Sequence, residues 1–468
     1  VGGKVYLVGC GPGSPDLLTI RAVEVLKKAD VVVYDRLIDP SVLNQARRSR
    51  KIYCGKRGGE AFKQEEINEI LYNEAKRGKL VVRLKNGDPM IFGRGGEELQ
   101  FLQARGIEVE VVPGLSSATS LAGLAKIPLT QRNISSSLTI LTGHEAGGKK
   151  IRWQGLGDTV VVLMGFGNLE SVTLQLMKAG KKASTLSMII SNGSTANQRF
   201  FVAPLGKIAE AARRLNLRAP AVLIVGEVVR SSLQFKGRRV ATFRSSDEAE
   251  RTRKLVCRTG AIPYVFKICD IEPAGEVLKS ISSKGWDALI FMSANSVRSA
   301  ARFLDLRQHQ VVAVGNRTRQ ELKKLGCKKI LVPRKQNLKG VKELIKRHRW
   351  KKILALRSPL AKEKIVGATN IPAYHINWKD LDHVIDDYLK KRSDFTLLTS
   401  AGLLEHILKA AKRRGLKREF VKKVNSTFVI SLGRRITEYA LKNGIWVNHE
   451  LEKPTLDLLF GRKFGARA

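Results

Sequence analysis

A chain of 468 residues is too long for one ordinary domain and gives two to four, with ample length for large apolar cores. No apolar run approaches the ~20 residues that span a bilayer, residues 1–8 lack the apolar stretch of a signal peptide, and Cys10, Cys54, Cys257, Cys269 and Cys327 stand at no metal or redox spacing. These features argue against a membrane protein, a zinc site and a disulfide framework, and predict a reducing cytoplasm. The net charge of +42 is uneven, with 34 Lys and Arg against 20 Asp and Glu through Lys236 and 50 against 22 after it, which admits polyanionic partners without naming one.

From residue 4 the pattern is a strand (5–8), a glycine-proline loop (9–15), a helix (17–28) and a second strand closing on Asp35, a βαβ opening. A nicotinamide site is the weaker reading, because Ser14 stands where the dinucleotide fingerprint needs its third glycine and Pro12 occupies its interior. Asp35 sits at the carboxyl end of a strand, where open α/β sheets place ligand-binding groups. A third strand (51–54) runs into the cationic turn Gly55-Lys56-Arg57-Gly58-Gly59, followed by a helix (64–76).

The apolar run 80–82 predicts a buried strand, and residues 83–98 a glycine-rich loop before a helix that begins near Glu97. Gly87, Gly93, Gly95 and Gly96 allow close approach of the main chain to a bound molecule, while Asp88 and Arg94 supply charge. The strand 108–112 ends in Pro113-Gly114-Leu115-Ser116-Ser117-Ala118, where a helix begins that runs through Leu124. Small-residue loops that all follow parallel strands converge on one crevice. From residue 138 the strands lengthen, with few helices between them (138–142, 159–164, 186–191, 199–202, 221–225), which predicts a second lobe with a mixed sheet. On residue type alone, His144 reads as structural and Met164 as core.

Taken in order, Val-Gly-Cys-Gly-Pro-Gly (8–13), Tyr-Asp-Arg-Leu (34–37), Gly-Lys-Arg (55–57), Asn-Gly-Asp-Pro with Phe-Gly-Arg-Gly-Gly-Glu-Glu (86–98), Val-Pro-Gly-Leu-Ser-Ser (112–117), Ile-Pro-Leu-Thr (127–130) and Thr-Gly-His (142–144) resemble the uroporphyrinogen-III C-methyltransferases of the tetrapyrrole methylase class, over residues 4 to about 230. The resemblance implies S-adenosyl-L-methionine folded between two α/β lobes, touched by Pro12, Asn86, Gly87, Asp88, Ile91, Ser116, Ser117, Met164 and Gly193. It implies Asp35 as proton acceptor, Lys56 as proton donor, and a homodimer through this half. Lys56, Arg57 and Arg94 could pair with substrate carboxylates. The family usually has aspartate where Ser14 stands, glycine where Asn86 and Lys126 stand, and histidine where Gln131 stands. Asparagine is the mildest of these departures because it tolerates left-handed backbone.

The first unit ends around residues 231–237 and a fresh strand begins at 238. An internal repeat follows: residues 287–295 with 311–326, and again residues 394–401 with 428–444, each reading strand, small-residue turn, helix and glycine stop. This half resembles uroporphyrinogen-III synthase, which implies ring closure of hydroxymethylbilane with no cofactor. Ser293, Asn295, Thr318, Arg357, Tyr374 and Ser400 are its candidate substrate contacts, and Ile436 stands where the repeat would need a hydroxyl. The fold class is therefore α/β throughout, a two-lobed methylase unit (1–236, lobes about 1–113 and 114–236) followed by a two-lobed synthase-like unit (237–468). The second unit's lobes are about 237–266 with 375–468, and about 272–370.

The expected function is bifunctional: cyclisation to uroporphyrinogen III, then two methyl transfers to give precorrin-2, on polycarboxylate tetrapyrroles, with no metal and no membrane partner. The rival readings are a methylase of another corrinoid or of RNA, with the basic second half a nucleic-acid module. Nucleic acid is disfavoured, since basic residues such as those of 409–418 interleave with acids and apolar residues as on a solvated helix face, and few aromatics accompany them.

Overall fold

The computed structural model describes residues 3–55, 63–144, 151–281, 285–335, 337–361, 363–451 and 456–460. The chain divides into two compact units, Val1–Gln234 with Asn448–Glu450, and Phe235–Val447 with Leu451–Ala468.

The first unit opens with five strands, β1 (Lys4–Gly9), β2 (Val31–Tyr34), β3 (Arg50–Tyr53), β4 (Leu80–Lys85) and β5 (Glu108–Val112), in the order β3-β2-β4-β1-β5. All pairs are parallel, as βαβ crossovers require. Alternate residues feed two cores. Val8, Val32 and Leu84 pack under the helix Ile20–Lys28, while Val5, Leu7, Val33 and Val81 pack under the helices Gln64–Lys76 and Gly95–Gln103. Burial on both faces explains why these strands read as unbroken apolar runs. The first helix starts at Ile20, where Thr19 accepts from Ala22 N, and is preceded by a short 3₁₀ turn over Pro15–Leu17.

The strand expected to stop at Val82 continues to Lys85. Arg83 and Lys85 are buried in it, because an acid from the overlying helix meets them there.

The second sheet of this unit holds β6 (Leu138–Thr142), β7 (Thr159–Leu163), β8 (Leu186–Ser191), β9 (Arg199–Pro204) and β10 (Ala221–Val225). Its order is β9-β8-β10-β7-β6, and the pairs are antiparallel except the parallel β6–β7. Two ten-residue helices, Leu169–Lys178 and Leu205–Arg214, cover it, more helix than the sequence pattern suggested. The two-residue strand His449–Glu450, from far along the chain, pairs parallel to β9 through Val202.

The second unit has one sheet of β11 (Arg239–Ser245), β12 (Ile262–Pro273), β18 (Tyr374–Trp378), β19 (Phe395–Leu398) and β20 (Phe428–Ser431), ordered β18-β12-β11-β19-β20. Another holds β13 (Ala288–Phe291), β14 (Val311–Ala313), β15 (Ile330–Leu331), β16 (Ile353–Arg357) and β17 (Thr369–Pro372), ordered β15-β14-β13-β16-β17 and parallel throughout. The internal repeat corresponds to β13 and β14 with the helices Ala294–Ala300 and Asn316–Lys324, and to β19 and β20 with Ala401–Arg413 and Arg434–Lys442.

Candidate functional site

Three loops leave the first sheet at the carboxyl ends of β1, β4 and β5 and meet backbone to backbone. A Cβ on Gly9 would lie 2.6 Å from Gly87 O and 2.7 Å from Gly114 Cα, so only glycine fits. Gly11 and Gly87 exchange hydrogen bonds, each N–H donating to the other's oxygen at 3.2 and 2.7 Å. Gly87 is left-handed at φ +70. Asp88 spends both oxygens on the same junction, Oδ2 accepting from Gly114 N at 3.0 Å and Oδ1 from Met90 N at 2.8 Å. Pro12 is buried between Gly11 and Gly13, and the next residue, Ser14, donates its N–H to Ser194 Oγ at 3.1 Å, joining this loop to the turn after β8.

These loops border a cavity of about 470 Å³ whose lining comes from both sheets of the first unit. Of the expected residues, Asp35, Asn86, Ile91, Ser117, Met164 and Gly193 line it. Pro12, Gly87, Asp88 and Ser116 do not. Ser116 is buried and caps the helix Ser117–Leu124, its Oγ accepting from Ala118 N at 3.3 Å. Lys56 and its neighbour Arg57 lie outside the described residues. Arg94 lines the cavity and forms a two-pronged pair with Glu97 at 2.9 and 2.7 Å.

Asn86 does not use the left-handed region; Gly87 does, and it is Lys126, at φ +59, that occupies such a position without being glycine. The buried Oδ1 of Asn86 has no hydrogen-bond partner among the described residues, leaving an acceptor at the cavity wall. Phe92 and Met164, bulky residues at φ +53 and +55, also border the cavity, with Met164 54% exposed instead of packed in a core. Strained backbone and exposed apolar side chains gathered at one concavity are what a ligand surface requires. His144 is exposed, and its N–H donates to Thr142 Oγ1.

The cavity also exposes a charged floor that sequence reasoning missed. Arg83, Lys85 and Gln64 line it, and all three donate to Oε1 of the fully buried Glu98, at 3.2, 2.7 and 3.0 Å. Arg83 reaches on to Asp35 Oδ2 at 3.5 Å, while Asp35 Oδ1 accepts from Leu37 N at 3.0 Å, so both oxygens of Asp35 are oriented. Burial, with the neighbouring Arg83 charge, lowers the Lys85 ammonium's pKa against the opposing pull of Glu98. Burial, and then Asp35, push the Cys10 thiol up to about 12, which leaves it a packing group. The available signal was two charges two residues apart in an apolar strand with Glu98 one helical turn into the next element.

In the second unit the expected contacts divide. Ser293 caps the helix Ala294–Ala300, its Oγ accepting from Ser296 N at 3.1 Å, and bonds the Tyr374 hydroxyl, whose pKa burial raises. Ser400 caps the helix Ala401–Arg413, and Thr318 is buried in Asn316–Lys324. Asn295 Oδ1 accepts from Arg298. Arg357 is buried and braces its own loop, donating to Asn370 Oδ1 and to the carbonyls of Ala361 and Glu363. In the second repeat the hydroxyl one place after Ile436, Thr437, is buried against Ser431 at 2.6 Å. The groups missed there are charged: Arg244, Glu248, Arg298 and Arg317 cluster at the carboxyl ends of β11, β13 and β14. No group of metal-ligating side chains occurs among the described residues, and no described helix is long and apolar enough to cross a membrane.

Residues 4–209 match the family model of tetrapyrrole (corrin/porphyrin) methylases, and residues 250–461 that of uroporphyrinogen-III synthase HemD. A uroporphyrinogen-III C-methyltransferase from Methanocaldococcus jannaschii is 50% identical over 234 residues, 48% of this chain and 97% of that protein. A siroheme synthase from Stutzerimonas stutzeri is 46% identical over 233 residues, 48% of this chain; the match spans only 50% of that longer relative. Among solved structures, uroporphyrin-III C-methyl transferase from Thermus thermophilus complexed with S-adenyl homocysteine is 42% identical, with a TM-score of 0.44, covering 49% of this chain and 99% of that one.

Proposed function

Because the chain belongs to the tetrapyrrole methylase family, and carries a uroporphyrinogen-III synthase domain behind the methylase domain, we propose that it is a bifunctional cytoplasmic enzyme. The second unit closes hydroxymethylbilane to uroporphyrinogen III without a cofactor. The first transfers two methyl groups from S-adenosyl-L-methionine to that product, giving precorrin-2. The two-lobed division of each unit at the boundaries expected from the sequence, and a homodimer through the first unit, belong to the same reading.

The observation that carries the methylase half is the glycine junction opening on the cavity. Its volume falls in the ~300–1,000 Å³ range of small-ligand sites, main chain replaces side chain where Gly9, Gly87 and Gly114 meet, and Asn86 Oδ1 offers an acceptor unmet among the described residues. These fit a methyl donor of nucleoside size. Bound, it supplies an electrophilic methyl on a sulfonium.

The chain's residues do the rest. Ile91, Phe92 and Met164 give apolar walls that exclude water, and the loops hold donor and acceptor aligned for attack by a pyrrole carbon. Asp35, oriented by Leu37 N and Arg83, takes the proton the macrocycle loses once the new carbon–carbon bond forms. Lys56 is the proton donor of the same reading. In the second unit, protein groups hold the linear substrate in one conformation and keep water from the reactive carbon after hydroxyl loss.

The test is an anaerobic assay of the full chain fed hydroxymethylbilane, with and without S-adenosylmethionine, read by absorbance and mass. Uroporphyrinogen III without the donor and a doubly methylated product with it are expected. Methylation of supplied uroporphyrinogen III without ring closure would remove the synthase assignment, and binding of the donor with no methylation would remove the acceptor.

A further inference from the structure

Glu248, in the first turn of the helix Ser246–Cys257, is almost fully buried, and three guanidiniums converge on its carboxylate. Arg244, from β11, donates to Oε2 at 3.0 Å. Arg298, after β13, and Arg317, after β14, both donate to the single oxygen Oε1. Arg244 is buried and tied to Thr252 Oγ1 as well, whereas the Arg298 and Arg317 side chains are 36% and 39% exposed and reachable from solvent. Arg298 has further partners in Asp247 and Asn295, with Glu321 at 3.9 Å. Arg317 is short of them: its buried Nε has no acceptor among the described residues.

The cluster stands at the carboxyl ends of strands from both sheets of the second unit, where α/β folds receive ligands. The amino ends of the helices Ser246–Cys257 and Asn316–Lys324 add positive potential there. One oxygen shared by two forked donors underuses both forks, since each guanidinium can present two parallel N–H groups to a carboxylate.

We propose that Arg298 and Arg317 form a binding site for a carboxylate of a polycarboxylate tetrapyrrole, and that Glu248 fills this site from within the protein as a stand-in for the ligand. The proposal rests on the synthase reading of the second unit. An incoming acetate or propionate takes the Arg298 and Arg317 donors, including Arg317 Nε, while Glu248 keeps its Arg244 partner through Oε2. The holding of Glu248 as an anion, down to about 2, reflects the same strong anion affinity: burial would raise its pKa, and Arg317, Arg244 and Arg298 outweigh it.

The experiment compares Glu248→Gln, Arg317→Gln and the Arg298→Gln/Arg317→Gln pair in the full chain without methyl donor. KM and kcat are read for hydroxymethylbilane closure, and affinity for uroporphyrin, a stable ring with an acetate and a propionate on every pyrrole, is read by its fluorescence. Losing one or two charge-assisted contacts should raise KM and weaken uroporphyrin binding about tenfold or more with kcat little changed, while Glu248→Gln, by vacating the donors, should lower KM several-fold. A purely structural cluster moves the other way: Glu248→Gln then leaves KM and uroporphyrin affinity unchanged or worsened, which overturns the proposal. So does an Arg317→Gln chain that binds uroporphyrin as the parent does. If the parent chain closes no hydroxymethylbilane, the synthase reading falls, and the opposite signs expected for uroporphyrin binding still decide the site.

Discussion

Gly114 shows how little freedom the ligand junction has. Its Cβ would fall 2.7 Å from Gly9 Cα and into Gly87 O, backbone atoms with no rotamer to yield. Gly114→Ala should therefore open the junction, costing ~1–3 kcal/mol of stability and most of the donor affinity; calorimetric titration with S-adenosylhomocysteine and urea unfolding measure the two. Glu98 is the other residue on which much depends. Glu98→Gln leaves Arg83 and Lys85 buried beside a neutral amide, and the loss of one member of a buried charge group should cost ~3–5 kcal/mol in urea unfolding. Glu98→Asp, which keeps the charge, should recover part of it. The Glu98 role was not legible from sequence, because a lysine and an arginine near a glycine loop read as loop. Only the partner on the facing helix makes them strand.

At the scale of elements, the sequence carried most of what the backbone does. Apolar runs bounded by Gly and Pro gave the strands of the first unit to within a residue or two, except β4, which runs three residues past its expected end; in the first sheet, buried parallel strands have no polar face to obscure the pattern. The helices Leu169–Lys178 and Leu205–Arg214 were less visible, lying between strong strand signals. The strand His449–Glu450 was invisible, because two residues carry no period and their partner, Val202, lies far back in the chain. It has an energetic signature: Arg214 and Glu450 form a two-pronged pair at 2.9 and 3.0 Å, largely shielded from water. Glu450→Ala should cost ~1–2 kcal/mol in the first unit's unfolding.

The amino end of the helix Ser246–Cys257 gives a pH test. The folded pKa of Glu248, about 2, lies below the ordinary 4.5. Its stabilisation is therefore present in full above pH 4.5 and lost as pH falls through 2, a difference of ~3 kcal/mol. Acid unfolding followed by circular dichroism should show a shallower limb over that window in Glu248→Gln.

For the molecule as a whole, the charge of +42 sets long-range behaviour more than structure. A polycarboxylate substrate drawn in by this field but held by short ion pairs should show a KM that rises gently with salt as screening sets in. A phosphate-backbone ligand would instead lose affinity with a steep log–log slope, and filter binding with RNA across a salt series separates the two. The strand His449–Glu450 also bears on the gene. Asn448–Glu450 belong to the first unit while Phe235–Val447 and Leu451–Ala468 belong to the second, so the chain passes from one unit to the other three times rather than once. A split at codon 237 would therefore take from β9 its pairing partner as well as part the two domains, and an upstream product would have to fold with β9 as an open edge.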